Sequence, residues 1–248
     1  MIYYIDKTRL PDLQKLMDQK NIYACKIACL FESYGLNYDF AEFWVQYDDE
    51  NHPVSAISKF YGDMTVQTTD KTDFDELKEF LQITGFTSVL SEKELFSDSF
   101  SGMTMQTLSR KTGITAEVNP NLNEVYRLLQ SCQSDSFEVP GYEDFILDMS
   151  HKIRHRTAVC VGVRSNGKLV STAMTVAQSK NCAVIGAVAT DKNCRHSGHG
   201  TKCVNTLCDL LYDRNIFIMR DENENERFYR SMGFENQGKF YIKRGKNL

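Results

Sequence analysis

The sequence predicts an α/β protein, a mixed sheet flanked by helices, divided into two halves over residues 1–112 and 113–248. Three observations lead there. Short apolar or alternating runs of strand length recur along the chain, separated by stretches whose apolar residues repeat at the three- and four-residue spacing of amphipathic helices. The 248 residues make two halves near the commonest domain size, with turn-forming Lys111-Thr112-Gly113 between them. The stretch from Cys182 to Gly200, with the segment after it, reads as strand, glycine-bearing turn and helix.

In the first half, Ile2 to Ile5 reads as a strand and Leu10 to Lys20 as a helix entered through Pro11. Cys25 to Tyr34 reads as a helix and Phe40 to Tyr47 as an alternating strand. Val54 to Phe60 and Met64 to Thr69 flank Tyr61-Gly62-Asp63 as a hairpin. Asp73 to Thr84 is a helix with an aspartate to cap its start and Gly85 just past its end. Phe86 to Leu90 is a strand, Leu95 to Gly102 a polar loop and Met103 to Leu108 a closing strand.

The second half opens with helices over Asn121 to Cys132, entered through Asn119-Pro120, and Tyr142 to Arg154. Ala158 to Val163 and Leu169 to Ala177 are strands joined through Asn166-Gly167, a strong two-residue hairpin signal. Ala183 to Thr190 is an apolar, β-branched run of buried-strand character. After the glycine turn, Cys203, Val204, Leu207, Leu210 and Leu211 mark one face of a helix, and Ile216 to Met219 is a short buried strand. Phe240 to Ile242 is the last strand.

Composition narrows the function classes. A net charge of −4 and a pI near 5.8 argue against electrostatic nucleic-acid binding. The basic cluster Lys152, Arg154 and Arg156 reads as a solvated helix end. No apolar run approaches the ~20 residues that span a bilayer, and the N-terminus lacks the basic-then-apolar order of a signal peptide. The expectation is a cytoplasmic protein with no membrane partner. Its eight cysteines fall largely within strands and helices and read as free buried thiols. Cys194, His196, His199 and Cys203 offer four zinc-type ligands in one short stretch, but zinc sites usually join two ligand pairs across a longer connection. No metal is expected.

The turn before the Cys203 helix has a chemical consequence. The first turn of a helix leaves backbone N–H groups without partners, and the helix dipole adds positive charge there. Gly198 and Gly200 remove the Cβ atoms that would hold an anion such as a pyrophosphate away from those amides, and Arg195 adds a fixed charge beside them. By themselves, two glycines before a helix fit an ordinary tight turn equally well.

Arg195-His196-Ser197-Gly198-His199-Gly200, an Arg-x-x-Gly-x-Gly after a strand, resembles the acyl-CoA pyrophosphate loop of the GNAT N-acetyltransferase superfamily. Asn223 to Phe234 resembles the same family's last helix, ending in Tyr-x-x-x-Gly-Phe. The resemblance covers the C-terminal half from near Glu117. It implies the acyl-CoA N-acyltransferase fold, acetyl-CoA as cosubstrate and an amine as acceptor. It implies that the backbone near Val188 and Ala189 pairs with the pantetheine arm, that Arg195, His196, Ser197, Gly198, His199, Gly200 and Thr201 hold the pyrophosphate, and that Tyr229 protonates the leaving thiolate. A phenol near ~10 and a thiol near ~8.5 are close enough to share a proton. Asn223 is a further coenzyme contact, one residue off the family's spacing.

Phe80 to Phe86 lines up with Phe228 to Phe234 through a shared Phe, Gly and Phe, which reads as an internal repeat and makes the chain a tandem pair with a degenerate first copy. That copy has Leu81 opposite Tyr229 and no Arg-x-x-Gly-x-Gly. The strand Ala183 to Thr190 lacks the glutamate some family members use as a base. Glu138, Tyr142, Asp148, His155 or water is left to take the proton. The acidic composition favours a small-molecule amine over a peptide N-terminus, and acceptor choice is expected in the loop Ser131 to Gly141. Two other readings are a non-catalytic acyl-CoA-binding module and a zinc-stabilised interaction module.

Overall fold

The computed structural model describes residues 1–108, 113, 115–134 and 137–245. In chain order the elements are β1 (Ile2–Tyr4), α1 (Leu10–Met17), α2 (Ile22–Tyr34), β2 (Ala41–Tyr47), β3 (Pro53–Phe60), β4 (Asp63–Thr68), α3 (Phe74–Thr84), β5 (Ser88–Ser91) and β6 (Phe100–Leu108). There follow β7 (Glu117–Val118), α4 (Leu122–Ser131), α5 (Tyr142–Arg154), β8 (Cys160–Ser165), β9 (Lys168–Gln178), β10 (Cys182–Thr190), α6 (His199–Leu210), β11 (Asn215–Asp221), α7 (Glu226–Arg230) and β12 (Glu235–Arg244).

These elements form two compact units, one of Met1–Thr104 with Asn236–Leu248 and one of Met105–Glu235. The expected boundary at Lys111-Thr112 lies outside the described residues. The contacts divide the chain earlier, within β6, and return the last strand to the first unit, where β12 pairs antiparallel with β5 from Tyr241↔Ser91 to Arg244↔Ser88. Chain order alone could not show this, because a final strand pairs with whichever sheet edge is open to it.

Within the first unit β1, β2, β3 and β4 form an antiparallel meander, and β4 runs parallel to β5 over Asp63–Thr65. Phe43, Val45 and Ala56 pack with Leu13, Leu16 and Ile27 of α1 and α2, while Trp44, Ile57, Met64 and Val66 pack with Leu77 and Leu81 of α3. The sheet is thus buried on both faces. β6 begins at Phe100, inside the stretch expected to be a loop, and Thr104 donates to the Gly238 carbonyl of β12 at 3.0 Å. Pairing overrode the polar composition there.

The second unit repeats the element order: β7, α4, α5, β8, β9, β10, α6 and β11 follow one another as β1, α1, α2, β2, β3, β4, α3 and β5 do. Antiparallel β8, β9 and β10 lead to a parallel β10–β11 pair. Asn166 and Gly167 take positive φ, 50° and 79°, as the expected hairpin turn requires. On one face of the sheet Cys203, Val204 and Leu207 of α6 pack on Ala183, Ile185, Ile216 and Ile218; on the other, Val125 and Leu129 of α4 and Phe145 of α5 pack on Cys160, Leu169 and Met174. Leu207 is 0% exposed. Leu207→Ala is expected to cost about 3 kcal/mol, read by urea unfolding, through lost burial and the cavity left behind.

The repeat is real, but the register expected for it is not. Helix α3 stands where α6 stands in the second unit, so Phe80 to Phe86 is not the counterpart of Phe228 to Phe234, and Leu81 is not the counterpart of Tyr229. A helix followed by Gly-Phe occurs in both places because glycine is a common helix terminator. Helix α7 is also shorter than the expected Asn223 to Phe234, spanning only Glu226–Arg230.

Candidate active site

β10 and β11 pair from Cys182↔Asn215 to Ile185↔Ile218, and no further. Beyond Ile185, β10 loses its ladder on that side. On its other side the register with β9 shifts between Gly186 and Ala189, a bulge in which Ala187 takes φ 47°. Gly186 is required by a close approach: a Cβ there would lie 2.7 Å from Val176 Cγ1. The result is a stretch of strand, Gly186 to Val188, that is partly exposed on a cavity of about 1380 Å³.

The loop after β10 is held by Asp191. Its carboxylate accepts from Lys168 Nζ at 2.9 Å and from the Asn193 amide at 3.0 Å, and caps a 3-10 turn over Lys192–Cys194. The Lys168 ammonium, followed by the amide bond, keeps the Asp191 carboxyl below its ordinary range. Arg195 then donates through Nε to the Thr190 carbonyl at 3.3 Å. Gly198, at φ 76°, begins α6, and no side chain caps that helix. Its first-turn amides therefore face the cavity without a side-chain acceptor.

Of the residues expected to hold coenzyme, Val188, Ala189, Arg195, His196, Gly198, His199, Gly200 and Thr201 line this one cavity; Ser197 and Asn223 do not. Asn225 lines it instead, at φ 60°, a conformation that asparagine tolerates better than most residues. Lys192 and Arg227 also line it, and with Arg195 they make three cations with no ion pair among the described residues. Ala187, His196 and Asn225 are all non-glycine residues at positive φ on its wall, the kind of strain that clusters at functional sites.

Tyr229 of α7 lines the cavity, its ring edge-on to Phe228 and Phe234 at 5.0 and 5.8 Å. Burial pushes its phenol up to about 12. No group among the described residues hydrogen-bonds its hydroxyl. The bases considered from sequence are not brought here. Tyr142 donates to Asn123 Oδ1 at 2.7 Å, Asp148 pairs with Lys152 at 2.8 Å, His155 stacks on His151 at 4.2 Å, and Glu138 is exposed; none lines the cavity. The carboxylates on its wall are Asp221 and Glu224. From the loop Ser131 to Gly141, Cys132, Gln133, Ser134 and Phe137 contribute.

The zinc-type set does not converge. Cys203 is 0% exposed, its Sγ directed to Ser171 Oγ at 3.6 Å in the core, with its thiol pushed up to about 11 by burial. Among the described residues the group that gathers three potential ligands is Asp48, Glu50 and His52, on an exposed turn of the first unit.

The first unit's equivalent loop is closed to anions. Between β4 and α3 the Asp73 carboxylate accepts from the Asp75 and Glu76 amides at 3.0 and 3.1 Å, and Asp75 and Glu76 add charge to the first turn. A carboxylate already occupies the position a phosphate would take.

Residues 122–234 match the sequence profile of the acetyltransferase (GNAT) family. No curated protein matches the chain by sequence. Among solved structures, a Drosophila protein superposes with TM-score 0.70 at 10% identity, covering 100% of this chain and 99% of that one. A GCN5-related N-acetyltransferase from Sphaerobacter thermophilus gives 0.60 at 12%, covering 100% and 97%. A tandem GNAT protein from the clavulanic acid biosynthesis pathway gives 0.57 at 10%, covering 100% of both chains. At such identities the likeness is one of fold. No described helix is long and apolar enough to cross a membrane. Residues 122–234 therefore carry the sequence profile of the acetyltransferase (GNAT) family, and the chain has the mixed α/β fold of GNAT-family structures.

Proposed function

We propose that the second unit transfers an acetyl group from acetyl-CoA to the amine of a small molecule. The observation that carries this is the convergence on one cavity of an uncapped helix N-terminus, a strand freed from its ladder and a buried tyrosine. The amides of Gly198 to Thr201 with Arg195, Lys192 and Arg227 suit a pyrophosphate. The backbone of Gly186 to Ala189, unpaired on the β11 side, supplies donors and acceptors for the amides of a pantetheine arm, and an N–H there can polarise the thioester carbonyl. Asn225 takes the place beside the coenzyme expected of Asn223.

In the reaction the neutral amine nitrogen attacks the thioester carbon, a C–N bond forms, the C–S bond breaks and the nitrogen gives its proton to water. Tyr229 gives its phenolic proton to the departing sulfur and recovers one from solvent. Its raised pKa keeps it protonated at neutral pH, so that it always stands as a donor. Asp221 and Glu224 give an ammonium-bearing acceptor an opposite charge on the cavity wall. The first unit, with its helix capped by Asp73, is non-catalytic.

Calorimetric titration with acetyl-CoA tests the reading. Micromolar binding that weakens as salt screens the three cations is expected. Absence of binding would overturn it and leave the fold without that chemistry.

A further inference from the structure

Arg220, at the end of β11, is 6% exposed. Burying a guanidinium costs several kcal/mol unless its donors are met, and an apolar side chain would fill the same space with no such cost. Its two Nη groups reach the segment that follows. Nη1 donates to the carbonyls of Asp221 at 2.8 Å and Glu222 at 2.5 Å, Nη2 pairs with Glu226 at 3.0 Å, and Nε points to Met105 Sδ at 3.2 Å.

The segment so held is also tied by Glu226 to Arg230 at 2.6 Å and by the packing of Phe228 and Tyr229 on the core, but Arg220 is the buried group that reaches it from β11. Helix α7 spans only Glu226–Arg230, its N-cap Asn225 sits at φ 60° with no side-chain cap, and a helix this short does not sustain itself. Its first residue is Glu226, the partner of Arg220; Tyr229 follows three positions later on the same face. Among the described residues nothing hydrogen-bonds the Tyr229 hydroxyl, so its place is set by the packing of its ring and by where α7 begins.

We propose that Arg220, through Glu226 and the carbonyls of residues 221 and 222, is a positioning residue that sets the Tyr229 hydroxyl at the coenzyme's sulfur. The inference rests on the acyl-CoA reading of the cavity.

The test needs no acceptor. Coenzyme A and desulfo-coenzyme A differ only at the sulfur, so the ratio of their dissociation constants isolates that contact, while adenosine 3′,5′-bisphosphate reports the phosphate end alone. The parent is expected to prefer coenzyme A by about tenfold, the worth of one hydrogen bond to a group with thiolate character. Tyr229→Phe removes the preference. Arg220→Met removes it equally, the double variant is no worse than either, and all three bind the bisphosphate as the parent does.

A retained preference in Arg220→Met, beside its loss in Tyr229→Phe, would overturn the proposal alone. A matching loss of bisphosphate affinity in Arg220→Met would do the same, by showing general collapse. A parent that binds no coenzyme A, or binds it without regard to sulfur, would overturn the acyl-CoA or the Tyr229 assignment and this inference with it. Should Arg220→Met not fold, Glu226→Gln removes the charge that faces Arg220, together with the exposed pair to Arg230, and full preference in that variant would refute the role.

Discussion

Gly198→Val lowers affinity for acetyl-CoA about 100-fold while leaving the fold in place. The glycine sits at φ 76° as the N-cap of α6, where an L-residue pays about 1–2 kcal/mol. A Cβ there meets nothing within 4 Å, so the cost is conformational and core packing is untouched. A valine relieves the strain by rotating the turn, which turns first-turn amides away from the anion, and each lost charge-assisted hydrogen bond is worth about 1.5–3 kcal/mol. Gly198→Ala, with less bulk and the same φ, is expected between the two. Calorimetry gives the affinities and a thermal melt shows whether the unit stays folded. Affinity within twofold of the parent in the valine variant would mean that the anion site lies elsewhere.

Elements with a local cause were legible in the sequence. Asp73 and Gly85 bound α3, Asn166-Gly167 turns the β8–β9 hairpin, and Tyr142 to Arg154 is a helix from end to end. Elements whose length depends on a distant partner were not. The start of β6, the extent of β12 and its place beside β5 are fixed by pairing with strands far along the chain, which no local pattern records. The repeat was visible for the wrong reason: a shared Phe, Gly and Phe pointed to α3 and α7, whereas the shared order of eight elements makes α3 the counterpart of α6.

The site divides in the same way. Arg195, Gly198 and Gly200 follow from a helix start that must leave its amides bare, and Tyr229 from the spacing of a motif, and all four line the cavity. The bulge at Ala187 was marked only by Gly186, an isolated glycine inside an apolar run. Asn225 could have been preferred to Asn223 as the asparagine immediately before the short helix, where a left-handed residue fits. Arg220 looked like the polar end of a strand; only its partners reveal a buried staple.

Tyr229→Phe is expected to slow acetyl transfer about 100-fold, the lower range for loss of a general acid, with little change in acetyl-CoA affinity. The ring stays packed against Phe228 and Phe234 in the variant, so only the hydroxyl is lost. The sign of the pH dependence follows from burial. Desolvation disfavours the phenolate and lifts the phenol to about 12, so between pH 6 and about 10 the donor is fully protonated and contributes no limb to the rate profile. Any rise in that window belongs to the amine becoming neutral and survives in the phenylalanine variant at its reduced level. Steady-state rates of thiol release across that range decide the matter. A phenylalanine variant as fast as the parent would remove Tyr229 from the proton transfer, and an alkaline fall below pH 10 present only in the parent would show its phenol titrating in water rather than in a desolvated cavity.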